Sequence, residues 1–191
     1  MDARIIRTKR DLSIAFLNLL DEKDYDSIKV VDICKKAMIS KVTFYNNFKC
    51  KSDLLNYILL GLEEEIKKKI YEVSSSLETK KDLLLNILKI SYKEIIEQKD
   101  ILKKIIFKKS TSSLLIDLRN FINQEILKNI DSLKIDEKSS IPKNYFAAFY
   151  SGAIVSILPM VVNSADSGEL DEDSLVKLFA PWYNIKVNFK G

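Results

Sequence analysis

The chain has 191 residues, a net charge of +4 and 47% apolar residues, which supports a folded core and excludes a disordered chain. With only 4 Gly and 3 Pro there are few positions for hairpin turns, so we expect an all-α fold. The absence of His excludes Ser-His-Asp and Cys-His catalytic systems and His metal ligands. We therefore expect no metal site and no cofactor.

The two cysteines, Cys34 and Cys50, occur without a secretory signal, because charged residues interrupt the first thirty positions. No apolar run approaches a transmembrane span by this interpretation. We expect a cytoplasmic protein with reduced thiols and no membrane partner.

The first predicted helix spans residues 4–22, where apolar residues recur with the 3.6-residue period of a helix face. A polar break over 23–27 precedes two short helices, 30–37 and 41–47, joined by a tight turn. Ser40 is a good N-cap for the second short helix, since its hydroxyl can accept from a free backbone N–H.

That second short helix has two predicted faces. Phe44 and Phe48 lie four residues apart on a buried face, whereas Lys, Val, Thr, Tyr and Asn side chains point elsewhere. Such a helix suits the major groove of DNA, although an ordinary surface helix has the same pattern. Between Lys29 and Lys51 six lysines stand against one acid, Asp32, which indicates phosphate binding unless these lysines are simply solvated.

The rest of the chain predicts a helical bundle. The helices are expected from residue 51 or 52 to about 73, then over 80–98, 100–108, 113–132 and 142–162, with a last helix capped by Asp171 or Asp173. No charge occurs between Lys143 and Asp166, so the helix over 142–162 must be buried almost all round, and Pro159 should kink it. Residues 163–171 are predicted to form a loop.

The N-terminal sixty residues resemble the TetR/AcrR family of bacterial transcription regulators. Fourteen positions match the family pattern in register: Tyr25, Ile28, Asp32, Ile33, Ala37, Ile39, Ser40, Thr43, Phe44, Tyr45, Phe48, Lys51, Leu54 and Leu55. The tail from Phe149 through Asn163, followed by an acid-rich loop, is similar to the C-terminal domain of one branch of the family.

The resemblance implies an N-terminal three-helix helix-turn-helix head joined by a long helix to a C-terminal bundle that dimerises. The predicted division is a DNA-binding domain over 1–50 and a ligand-binding and dimerisation domain over 51–191. The implied function is that of a homodimeric regulator, usually a repressor, which binds a palindromic operator in double-stranded DNA. A small-molecule effector is expected to release or alter it.

Each expected site has its own candidate residues. Base edges are assigned to Lys41, Thr43 and Asn46, with Val42 for a thymine methyl. Phosphates are assigned to Tyr45, Asn47, Lys51 and the N–H groups capped by Ser40. An apolar or aromatic effector is expected near Tyr92, Phe107, Phe121, Tyr145 and Phe149, although these aromatics are equally consistent with plain core. The dimer interface is assigned to Ile154, Ile157, Leu158, Val161, Phe179 and Trp182.

Three residues depart from the family pattern. Met38 stands where the family has glycine, so the backbone there must either avoid positive φ or bear strain. Lys29 stands in place of the usual capping Thr, which leaves Asp32 without its capping-box partner. Asn47 replaces the usual His and can still donate to a phosphate.

Two other functions stay open on the sequence. One is a regulator that acts chiefly through a partner protein bound by the C-terminal bundle. The other is a small helical-bundle enzyme, against which the absence of His and of any nucleophile constellation argues, so we expect no enzymatic activity.

Overall fold

The computed structural model describes residues 3–74, 80–106, 112–129 and 142–167, together with 171, 173–174 and 177. Every element of this described part is helical, which confirms the predicted all-α fold. In chain order the elements are α1 (Ala3–Glu22), a 3₁₀ turn (Tyr25–Ser27), α2 (Val30–Ala37), α3 (Lys41–Asn47), α4 (Lys51–Ser74), α5 (Lys80–Glu97), α6 (Lys99–Ile106), α7 (Ser112–Asn129) and α8 (Lys143–Ser167).

Helices α1, α2 and α3, with the 3₁₀ turn, pack on one another and form the helix-turn-helix head. The predicted apolar stripe of α1 is buried in this core, at Leu12, Ala15, Phe16, Leu19 and Leu20. Tyr25 meets the ring of Phe16 edge to face, with centroids 6.2 Å apart. Cys34 is buried as expected for a small core residue, and burial raises the pKa of its thiol.

The chain divides into two compact units. The first contains Met1–Leu59 and Asp100–Pro159, so the head shares a unit with α6, α7 and most of α8. An ion pair of 2.7 Å between Lys104 and Asp21 joins α6 to α1, and α7 packs on the 3₁₀ turn. The predicted functional division at residue 50 stays a prediction, since it concerns what each part binds.

The second unit contains Leu60–Lys99 and Met160–Gly191. Within it, Lys69 of α4 pairs with the buried Glu94 of α5 and lies 2.8 Å from the carboxylate of Glu97. The carboxylate of Asp171 accepts from the N–H of Ser174 at 2.7 Å, so Asp171 caps the helical residues that follow it. Most of the predicted last helix lies outside the described residues.

Helix α8 departs from two predictions. It continues to Ser167, so the loop predicted from Asn163 begins later. Within this extension the buried hydroxyl of Ser164 donates to the carbonyl of Val161 at 2.8 Å, so its hydrogen bond is satisfied inside the helix. The segment Lys143–Ser164 is also long and apolar enough to cross a membrane, with a mean hydropathy of 1.8. The prediction that no run approaches a membrane span was therefore wrong, although length and composition are equally met by apolar helices of soluble proteins.

Candidate nucleic-acid interface

Helix α2 begins with half of a capping box. The carboxylate of Asp32 accepts from the backbone N–H of Lys29 at 2.9 Å. In a full capping box the side chain of residue 29 would also accept from the backbone N–H of Asp32, but a lysine side chain has no acceptor atom. The replacement of Thr by Lys at 29 therefore removes only one of the two cap bonds. The bond from Lys29 and an ion pair of 3.0 Å with Lys23 lower the pKa of Asp32.

The turn between α2 and α3 has positive φ at the position of the missing glycine, so of the two possibilities it bears strain. Met38 adopts φ 54° and ψ 38°, in the left-handed region, and its side chain is 93% exposed. The N–H of Met38 bonds the carbonyl of Lys35 at 3.2 Å, and that of Ile39 bonds the carbonyl of Cys34 at 2.9 Å. This pair of bonds is a Schellman motif, which ends α2 sharply and redirects the chain into α3.

Helix α3 is capped as predicted. The hydroxyl oxygen of Ser40 accepts from the N–H of Thr43 at 3.0 Å. On its inner face Phe44 and Phe48 are buried with ring centroids 5.8 Å apart, which confirms that face. The two aromatics fix the rotation of this seven-residue helix on the head.

The opposite face of α3 is exposed. It presents Lys41, Val42, Tyr45 and Asn46 to solvent, and Val42 is 70% exposed. The ammonium of the lysine can bind a guanine edge or a phosphate, and the amide of the asparagine can bind an adenine edge. The phenol can bind a phosphate, and the isopropyl group can contact a thymine methyl. Exposed lysines at 35, 36 and 49 add positive charge nearby, and Lys36 pairs with Glu22.

Two predicted contact residues already use polar atoms inside the head. The hydroxyl groups of Thr43 and Ser40 lie 2.8 Å apart and share a hydrogen bond. The amide nitrogen of Asn47 donates to the carbonyl of Thr43 at 2.8 Å. Both side chains are half-buried, so they stand behind the exposed face and support it.

Lys51 differs from the other predicted DNA-binding residues because its ammonium points into the head. It donates to the carbonyl oxygens of Tyr25 at 2.6 Å and Ile28 at 3.2 Å. It also lies 4.2 Å from the centroid of the Tyr25 ring, a cation–π distance. A phosphate contact by Lys51 would require it to leave these partners.

The predicted effector residues belong to both compact units of the chain. Tyr92 on α5 and Phe121 on α7 are half-buried, and Phe107 lies outside the described residues. Tyr145 and Phe149 are 68% and 56% exposed on the outer face of α8. An exposed face does not enclose a ligand, so Tyr145 and Phe149 form a candidate interface and not the lining of a cavity.

The predicted interface residues differ in how far they are buried. Leu158 and Val161 are buried within the chain itself, which leaves them no surface for a partner. Ile154 and Ile157 are half-buried, and Phe179 and Trp182 lie outside the described residues. Apolar residues occur along more than one face of α8, so more than one face could form an interface. The face that includes Leu158 is buried within the chain.

Sequence reasoning missed Asp117 of α7. Its carboxylate accepts a hydrogen bond from the hydroxyl of Tyr25 and another from that of Ser52, both at 2.6 Å. No local pattern marks Asp117, since its partners lie 92 and 65 residues away in the chain.

Known proteins resemble this chain in two ways. No protein-family model matches it. Over 60 residues it is 40% identical to the uncharacterized HTH-type transcriptional regulator YxbF of Bacillus subtilis, a match that covers 31% of this chain and only 16% of that protein.

Solved structures match nearly the whole chain at low identity. A protein from Syntrophomonas wolfei described as a TetR-family transcriptional regulator matches with a TM-score of 0.56 and 14% identity, covering 93% of each chain. The fatty acid degradation regulator FadR of Bacillus halodurans matches with a TM-score of 0.53 and 14% identity, over 95% of this chain and 97% of that one. FadR of Bacillus subtilis, solved with stearoyl-CoA, matches with a TM-score of 0.50 and 17% identity, over 88% and 96%. The resemblance to the TetR family is thus confirmed at the level of the fold, which is the all-α fold of these solved regulators.

Proposed function

We propose that this chain is a DNA-binding transcriptional regulator of the TetR type that works in the cytoplasm. The observation that carries the proposal is α3, which Ser40 caps and two buried aromatics hold in place. Its outer face gathers Lys41, Val42, Tyr45 and Asn46, a set able to bind base edges and phosphates. The fold likeness and the match to a helix-turn-helix regulator support this assignment.

We infer further that the regulator is a homodimer on a palindromic operator. The support is the outer face of α8, where Tyr145 and Phe149 are exposed on a helix without charge between Lys143 and Asp166. An exposed apolar face of this kind suits a two-fold interface, and two-fold symmetry in the protein calls for symmetry in the operator. Repression is the expected sign of regulation, by resemblance to the family.

A small-molecule effector completes the proposal. The support is FadR of Bacillus subtilis, which shares the fold and was solved with stearoyl-CoA. We therefore propose an effector with a long apolar part and choose stearoyl-CoA, whose acyl chain is apolar, as the first probe. Binding should raise the unfolding midpoint and lower DNA affinity, because an effector that favours one conformation shifts the population away from the other.

The central test selects duplexes from a random DNA library with the wild-type chain and then titrates the best one by fluorescence anisotropy. Affinity should fall steeply as salt rises. The logarithm of the binding constant plotted against the logarithm of the salt concentration, here called the salt slope, should have a slope of about −0.9 for each phosphate contacted. The selected sequences should contain inverted repeats. A chain that enriches no sequence, and binds duplexes weakly at every salt concentration, would contradict the function.

A further inference from the structure

The carboxylate of Asp117 on α7 is the meeting point of two hydroxyl groups from the head region. One of its oxygens, Oδ2, accepts from Tyr25 and from Ser52, each at 2.6 Å. The two hydroxyl oxygens lie 3.0 Å apart, so the three groups form a closed triangle. Tyr25 is 1% exposed, which shields the triangle on one side.

The two donors bracket the helix-turn-helix in the chain. Tyr25 lies in the 3₁₀ turn that leads into α2, and Ser52 lies in the first turn of α4, just after α3. Ser113, one helical turn before Asp117 on the same face of α7, donates to Asp26 of the 3₁₀ turn. One face of α7 therefore holds both the entry and the exit of the segment 30–47.

The bonds in this triangle are strong for physical reasons. A hydroxyl that donates to a carboxylate makes a shorter and stronger bond than one between neutral groups. Burial and the bond to Asp117 raise the pKa of Tyr25, so the phenol keeps its proton and stays a donor. The ring of Tyr25 is also packed against Phe16 of α1, which connects the bond to the core of the head.

We propose that Asp117 is a positioning residue of the DNA-binding head, which sets through Tyr25 and Ser52 the angle at which α3 is presented and hence the half-site spacing that the dimer accepts. This inference rests on the proposed function. Asp117 does not contact DNA in this scheme. A movement of α7 would reach the recognition helix through the two hydroxyl bonds.

The test compares Asp117→Ala with Asp117→Asn on the best selected duplex and on copies with one or two base pairs added to or removed from its centre. Asp117→Ala removes the acceptor of both hydroxyl bonds, so it should bind the best duplex about tenfold more weakly, which corresponds to about 1.4 kcal/mol. It should also discriminate less among the spacings. Asp117→Asn keeps an oxygen that can accept both bonds, so it should recover most of the spacing preference. The salt slope should stay unchanged, because no phosphate contact is removed.

Two further variants keep the test valid if Asp117→Ala does not fold. Tyr25→Phe and Ser52→Ala each remove one donor to the same carboxylate, so in the double variant their effects on the spacing preference should be less than additive. Tyr71→Phe, on an exposed tyrosine of the second unit, is the matched control for loss of a phenol hydroxyl.

The outcomes separate this inference from the function on which it rests. Folded variants with the affinity and spacing preference of the wild type would overturn the role of Asp117 and leave the regulator intact. A wild-type chain that selects no duplex would overturn both.

Discussion

The ammonium of Lys51 lies 2.6 Å from the carbonyl oxygen of Tyr25, so this lysine closes the 3₁₀ turn from within the head. We predict that Lys51→Met lowers the free energy of unfolding by about 1–3 kcal/mol, because bonds from a charged donor are lost. The salt slope of DNA binding should stay as in the wild type. Urea denaturation and anisotropy titration measure the two quantities.

Lys49→Met is the matched control, since the side chain of Lys49, two residues earlier in the chain, is exposed. If Lys51→Met is as stable as the wild type and reduces the salt slope by about one phosphate, the original assignment of Lys51 to a phosphate is right.

Relief of strain at Met38 should stabilise the chain. Met38→Gly removes a side chain from a left-handed residue that contributes almost no buried surface, so we expect a gain of about 1 kcal/mol. Met38→Ala keeps the β-carbon and should give no comparable gain. Thermal unfolding of the three proteins checks this, and equal midpoints for Gly and Ala would mean that the turn holds no strain.

The exposed face of α3 should divide into positioning and specifying residues. Tyr45→Ala should weaken binding to all duplexes alike, as loss of a phosphate contact does. Asn46→Ala should relax the preference at one base pair by about 1–3 kcal/mol. Titration against single-base-pair variants of the selected duplex distinguishes the two patterns.

Asn120→Ala, on the exposed surface of α7, is the control for loss of an amide. Unaltered binding by both α3 variants would show that this face is assigned wrongly.

The cap at Asp32 should make stability depend on pH. Because bonds from Lys29 and Lys23 lower its folded pKa, the ionised carboxylate stabilises the fold above its ordinary pKa, about 3.9, and this contribution is lost as pH falls through the lowered value. Asp32→Asn should therefore have a lower unfolding midpoint than the wild type at neutral pH. The difference between the two midpoints should become small near pH 2. Lys23→Met, which leaves the backbone bond in place, should have a smaller effect. A difference that stays constant from neutral to acid pH would contradict the cap.

The outer face of α8 should control the oligomeric state. Phe149→Glu places a charge in the middle of the candidate interface and should give monomers by light scattering, because an unpaired buried charge is costly. Ile116→Glu places the same charge on an exposed apolar residue of α7 and should leave the dimer intact. A dimer that survives Phe149→Glu would place the interface elsewhere.

Local chemistry made α2 and α3 predictable to the residue. Ser40 can cap only the helix that follows it, and the break before it separates two apolar patterns, so both helices end where the sequence places them. Phe44 and Phe48 then define the buried face without further information. At Met38 the sequence left two possibilities, a backbone that avoids positive φ or one that bears strain, and the structure has the second.

Features that depend on distant partners were not predictable in this way. The pattern of α8 shows that the helix is apolar but not which side its own chain covers, so the burial of Leu158 and Val161 did not follow from the sequence. The role of Lys51 depends on carbonyl groups of residues 25 and 28, and a motif match reports the residue type but not its direction. The bond between Tyr25 and Asp117 requires the tertiary fold itself.

The first unit is assembled from two stretches that leave the ribosome at different times. The head emerges first, and residues 60–99 are made before α6 and α7 can reach it. Domains generally fold from the N-terminus during synthesis, so the nascent head must persist without the carboxylate that its Tyr25 hydroxyl binds in the finished chain. The entropic cost of bringing the two stretches together grows only slowly with the length of the segment between them. The delay before α7 reaches the head therefore arises from the time needed to synthesise that segment. A chain stalled after α5 would carry a complete recognition helix that is not yet anchored to α7.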